Sequence, residues 1–111
     1  MLTAEDFSAH TGTSTLTYSY SSGFIGQAQY GPDQTLLWAF QGEPCVTGHW
    51  THTGDQLCFS FANQVEVSCW LFSFKDGKLL GVLQNSDTVV VITETARSDQ
   101  PLVCPAPEVG V

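Results

Sequence analysis

Cys45, Cys58, Cys69 and Cys104 are the residues whose type and spacing do the most definite chemistry, oxidative cross-linking. Cys58 and Cys69 flank an expected hairpin, in Leu57-Cys58-Phe59 and Ser68-Cys69-Trp70. With the hairpin centred between Asn63 and Gln64, the two cysteines face each other. Directly opposed residues have Cβ atoms ~4.5–5.5 Å apart, closer in non-hydrogen-bonded pairs, near the separation that a disulfide spans. The same register sets Leu57 opposite Trp70 and Phe59 opposite Ser68. Leu57, Phe59, Phe61, Trp70 and Phe72 then share one face, as a core face should. Cys45 and Cys104 remain as the natural second pair, which would close a longer loop and pin the C-terminal tail. Four cysteines allow three connectivities, and four buried free thiols are the alternative. An even number of cysteines in a small β chain fits an oxidising compartment. No C-x-x-C occurs, and the spacing matches no zinc ribbon or finger.

Other constellations yield less. Gly48-His49-Trp50-Thr51-His52 invites a metal reading, but His49 and His52 point to opposite faces of a regular strand and cannot chelate one ion from it. Asp55 would have to curl back to help either, and His10 is remote in sequence. No metal site is expected. There is no G-x-S-x-G and no strand-to-helix elbow for a nucleophilic serine. Asp33, Glu43, Asp55, Asp76, Asp87 and Asp99 fall in turns or loops and read as solvated residues rather than the paired carboxylates of glycoside hydrolysis. Gly23-Phe24-Ile25-Gly26 opens a strand, not a helix, so it is no phosphate loop. No catalytic constellation and no cofactor motif is recognisable, and the expectation is a protein that is not an enzyme and binds no cofactor.

The charge balance narrows the partners. Three Lys and Arg residues against eleven acids give a formal net charge of −8. Phosphate backbones repel such a surface, which excludes nucleic acid as a partner. Acidity favours solubility and cationic partners. The longest unbroken apolar run is Leu36 to Phe40, and with Val89 to Ile92 it falls far short of the ~20 residues of a membrane helix, so no span is expected. Nothing in the pattern specifies an oligomeric state.

These residues must be positioned by short strands. Thr3 to His10 reads as a short helix with Thr3 as N-cap, acids in the first turn and Phe7 as its anchor. From residue 15 to 94 the apolar period is two. Leu16, Tyr18 and Tyr20 share a face, as do Phe24, Gly26, Ala28 and Tyr30, then Leu36, Trp38 and Phe40, then Gly48, Trp50 and His52. Polar turns separate them, and Lys75-Asp76-Gly77-Lys78 is the strongest. The last two strands are read over 79–84 and 88–94. Eight short strands in one domain of 111 residues make an all-β, antiparallel up-and-down meander, either a lipocalin-like barrel or a sandwich. Eight strands can just close around side chains or one small ligand. Residues 95–111, with Pro101, Pro105 and Pro107, read as an extended tail tethered by Cys104.

The aromatic set is large for this size. Tyr18, Tyr20, Tyr30, Trp38, Trp50 and Trp70 are candidates to line the barrel, either as the wall of a ligand cavity or as core filling. Gly26, Ala28 and Gly48 lie between bulky neighbours, relieving crowding or leaving room for a ligand.

Gly48-His49-Trp50, Leu57-Cys58-Phe59 and Cys69-Trp70 followed by Asp76-Gly77 resemble a family of short exported bacterial proteins of unknown function. Its pattern is a G-x-W, a strand with L-C-F or L-C-Y, and a C-W before a D-G turn. Leu2 to Phe7, Leu37 to Phe40 and Leu102-Val103-Cys104-Pro105 resemble it too, so the likeness covers most of the chain. It implies a periplasmic or secreted protein whose leader has been removed, since Met1 to Glu5 lacks a basic start and an apolar stretch. It implies no activity. The G-x-W is also similar to that of lipocalins, but theirs opens the first strand and this one falls mid-chain. Small periplasmic inhibitors of proteases and lysozyme share a stapled eight-strand barrel, which is an analogy of fold alone.

Two functions follow as expectations. The first is a non-catalytic exported module that binds a protein, inhibitor-like, with basic targets favoured and Glu43, Asp55 and Asp76 as candidate surface contacts. The second is a carrier of a small apolar ligand inside the barrel. The interior separates them. A filled barrel leaves surface recognition, and an open one of ~300 Å³ or more supports a ligand.

Overall fold

The period-two alternation is realised as eight antiparallel strands: β1 Thr15–Tyr20, β2 Ile25–Tyr30, β3 Thr35–Phe40, β4 Val46–Thr53, β5 Gln56–Phe61, β6 Ser68–Lys75, β7 Lys78–Leu83 and β8 Val91–Ser98. This computed structural model describes residues 2–104, so Pro105 and Pro107 of the expected tail lie outside the described residues. Each strand pairs with the next, and β8 pairs with β1 to close a barrel. The choice between barrel and sandwich is thereby made, and closure leaves no free sheet edge.

Up-and-down order sends successive turns to alternate ends. One end carries α1 (Ala4–Thr11), the one helix among the described residues, with the β2–β3, β4–β5 and β6–β7 turns. The other carries the β1–β2, β3–β4, β5–β6 and β7–β8 links. The β6–β7 turn is of the two-residue kind that needs positive φ at both positions, and Asp76 (φ 53°) and Gly77 (φ 76°) supply it. Register in the β5–β6 hairpin is as the cysteines required: Leu57 faces Trp70, Cys58 faces Cys69 and Phe59 faces Ser68.

The helix closes its end of the barrel. Thr3 caps it through Oγ1, which accepts from the Asp6 N–H, and the Asp6 carboxylate accepts from the Thr3 N–H in return. That backbone hydrogen bond, with the one from the Thr3 side chain, holds the Asp6 carboxyl below its usual value. Phe7 is fully buried. Its ring meets Trp50 at 5.1 Å, Tyr30 at 5.6 Å, Phe59 at 6.0 Å and Phe72 at 5.1 Å between centroids. The helix thus drives one aromatic plug into a ring of four.

Crowding inside the wall is relieved at Gly26, Gly48 and Gly81, the last lying against the Phe72 ring. A Cβ on Gly26 would lie 2.4 Å from the Trp38 ring, and one on Gly48 would lie 2.7 Å from the Phe61 ring. The space these glycines leave is filled by side chains of the barrel itself.

The last strand departs furthest from the sequence reading, while β7 begins and ends one residue earlier than the 79–84 read from the sequence. Val89 and Val90 precede β8, which begins at Val91 and continues to Ser98, so residues 95–98 belong to the barrel and not to the tail. β1 requires a partner along its whole length, and Thr15 pairs with Ser98. A bulge accompanies this extension: Tyr18 faces Glu94 but Thr17 faces Ala96, leaving Thr95 as the extra residue.

Beyond Ser98 the chain crosses the outside of β1 and β2. The Thr15 hydroxyl donates to the Gln100 carbonyl at 2.8 Å, and the Leu102 N–H donates to Gln29 Oε1 at 2.9 Å. Cys104 then bonds to Cys45, and Cys58 bonds to Cys69. Both expected disulfides are formed, and they are compatible with an extracellular or periplasmic location. Among the described residues no helix is long and apolar enough to cross a membrane.

An aromatic cavity at the open end

The end opposite the helix carries a cavity of about 180 Å³. Tyr18, Tyr30 and Phe72 lie toward its floor, above the Phe7 plug. Trp38, Trp70 and Phe59 also line it. At the mouth are Tyr20, Phe40, Phe61, Leu83 and Val90, with Gln64 and Ser68 as the polar groups. Each position follows from inward alternation along its strand, with β1, β3, β5 and β6 supplying most of the rings. A groove of about 620 Å³ continues outward from Trp38, Phe40 and Gln64 to Phe24, Glu43 and Pro44.

The barrel is neither filled nor as open as the ~300 Å³ at which a ligand was expected. Aromatic packing explains the difference, since Trp38 lies over Gly26 and stacks edge-on to Phe40 at 5.4 Å. What remains exceeds the ~150 Å³ apolar cavity that holds benzene. It fits one ring or the end of a chain.

Polarity in the floor comes from a tyrosine pair. The Tyr18 and Tyr30 hydroxyls are 2.8 Å apart. One hydrogen bond satisfies both oxygens and uses one of their two protons. Burial pushes the Tyr20 phenol up to about 12. Burial first, then the charge of Tyr30 beside it, raises Tyr18 well above its ordinary value. Tyr30 is raised too, by burial, against a lowering from its hydrogen bond with Tyr18.

These three are all the tyrosines of the chain. Unfolded chains release phenolic protons near pH ~10, whereas the folded barrel holds them, so stability is complete below about 10 and falls as pH rises through the folded values. In an alkaline titration, tyrosinate absorbance is expected to stay absent through pH ~10 and to rise together with loss of the β-sheet circular dichroism. A tyrosinate signal at the ordinary midpoint in a still folded chain would show a solvated phenol and contradict the enclosed floor.

The candidate lining residues divide. Tyr18, Tyr20, Tyr30, Trp38 and Trp70 line the cavity, whereas Trp50 packs below it on Phe7. The candidate surface contacts are not brought together: Glu43 lies in the outer groove, while Asp55 and Asp76 sit on turns at the helix end. His49 and His52 are both exposed. Among the described residues no three of His, Cys, Asp and Glu gather to hold a metal ion.

A polar cluster at the helix end was not legible from sequence. Glu94 is buried on β8, and its Oε1 lies 2.7 Å from His10 Nε2 while accepting from the Leu79 N–H at 3.0 Å. Arg97 donates to the His10 carbonyl. The bulge at Thr95 makes this possible, because it sets both Glu94 and Arg97 opposite the inward residues Tyr18 and Leu16 of β1. The cluster ties the helix to β7 and β8 and does not line the cavity. Compared with protein-family models, curated proteins and solved structures, the chain gives no match.

Proposed function

We propose that the protein is a non-catalytic binding module that takes a small apolar ligand, one ring or a chain end, into the open end of its barrel. The observation that carries this reading is the cavity of about 180 Å³, walled by aromatic rings and sealed below by Phe7. Sites for small molecules are concave and mostly apolar with a few polar groups. Here those groups are two tyrosine hydroxyls in the floor and Gln64 and Ser68 at the mouth. An exported protein, periplasmic or secreted, is part of the proposal, and two disulfides support it. So does the resemblance to short exported bacterial proteins.

Nuclear magnetic resonance titration with toluene tests it. Saturable shifts are expected at cavity residues, and a folded Ser68→Phe variant, whose new ring would occupy the mouth, is expected to lose them. No saturable shift in the unaltered protein would overturn the reading.

A second reading is a protein partner docked on the same end. Phe24, Val65 and Val89 are 65%, 100% and 84% exposed there, an apolar rim that water alone does not favour. Ser68→Phe leaves that rim intact, so a partner bound by it is retained in the variant and a ligand held in the cavity is not.

A further inference from the structure

Cations, not net charge, are segregated along the barrel axis, for the helix end also carries most of the described acids, Asp33, Asp55 and Asp76 among them. The three Lys and Arg residues are Lys75, Lys78 and Arg97. The first two flank the β6–β7 turn and the third lies near the end of β8, so all three are at the helix end. The open end holds Glu43, Glu66 and Asp87, all exposed, with no cation among the described residues. All three sit on loops of that end, and of them only Glu43 lines the groove. Glu43 lies in the groove that continues the cavity. Glu66 sits on the β5–β6 loop, between the cavity residues Gln64 and Ser68. Asp87 is on the β7–β8 loop that delivers Val90 to the mouth.

We infer that the ligand is an amphipathic amine, with its apolar body in the cavity and its ammonium group at the acidic rim. The inference rests on the cavity being a ligand site, and it names the chemical class. The rim carboxylates act together on a charge at the mouth. Low-dielectric walls focus that field. Trp38 and Phe40 line the groove, and their rings would add cation–π attraction where the head group passes. A fatty acid or other apolar anion meets the opposite field, and its carboxylate would have no cationic partner at that end.

Three probes of one shape test this: 2-phenylethylamine, 2-phenylethanol and 3-phenylpropionate. At low ionic strength the amine is expected to bind on the order of 5-fold more tightly than the acid, with the alcohol between them. The gap is expected to close as salt approaches about 1 M, where the Debye length is ~3 Å. It is also expected to close in a Glu43→Gln, Glu66→Gln, Asp87→Asn variant that binds the alcohol as before. A variant with the same change of net charge at the helix end, Asp33→Asn, Asp55→Asn, Asp76→Asn, is expected to keep the gap. Equal binding of amine and acid, or loss of the gap in the helix-end variant, overturns the inference and leaves the apolar-ligand reading standing. Failure of all three probes to bind overturns both.

Discussion

Replacing Phe7 by alanine is expected to destabilise the protein by about 3–5 kcal/mol, the range for removing a buried aromatic ring from a core. Phe7 has no exposed surface, and its ring contacts four other aromatic side chains from β2, β4, β5 and β6. A helix of eight residues is too short to persist by itself, so this contact is what makes it worth forming. Against a total stability of ~5–15 kcal/mol, the loss is a large fraction. Urea denaturation followed by tryptophan fluorescence measures it. Thr3→Ala supplies the comparison, because loss of an N-cap costs about 1 kcal/mol and leaves the plug in place. A Phe7→Ala variant no less stable than Thr3→Ala would refute the plug. A second consequence concerns ligand binding. Tyr30, Phe59 and Phe72 wall the cavity on one side and touch Phe7 on the other. Removing the plug lets the floor rearrange, so binding of an apolar probe should change in any variant that remains folded.

What was legible in the sequence was what local alternation and turn chemistry specify. Tyr18, Tyr20 and Tyr30 face inward because side chains of a strand alternate, whatever the strand pairs with. Asp76-Gly77 marks a turn because few residues adopt positive φ at both positions. The Cys58–Cys69 pairing could be read because one short hairpin sets its own register. Features that depend on distant pairing could not. Val89-Val90 has strand character, yet β8 starts at Val91 because its register is fixed by β1 and β7. The bulge at Thr95 leaves no mark in local composition, and without it Glu94 and Arg97 cannot both be placed near His10. The cavity was also hidden. Whether ten aromatic rings fill a barrel depends on their rotamers, and Trp38 settling over Gly26 takes up space that alternation alone leaves unassigned.

Removing the Cys45–Cys104 bridge is expected to cost more stability than removing Cys58–Cys69. The first pair is separated by 59 residues and the second by 11. Constraining the unfolded chain over such loops contributes about 4 and about 3 kcal/mol respectively. Paired Cys→Ser variants, compared by urea denaturation under non-reducing conditions, give the ranking. The two variants should also fail differently. Between Ser98 and Cys104 the chain is held to the barrel by hydrogen bonds to Thr15 and Gln29 and by the buried Leu102. Without its terminal bond this stretch can detach while the eight strands stay closed, so proteolysis between residues 99 and 103 should accelerate under native conditions. Cys58 and Cys69 join two strands already paired by the barrel, so their loss opens no segment by itself. Unchanged cleavage in the Cys45→Ser, Cys104→Ser variant would mean that the two hydrogen bonds and Leu102 hold the segment unaided. A reversed order of stabilities would mean that contacts in the folded barrel, and not the freedom of the unfolded chain, determine what each bridge contributes.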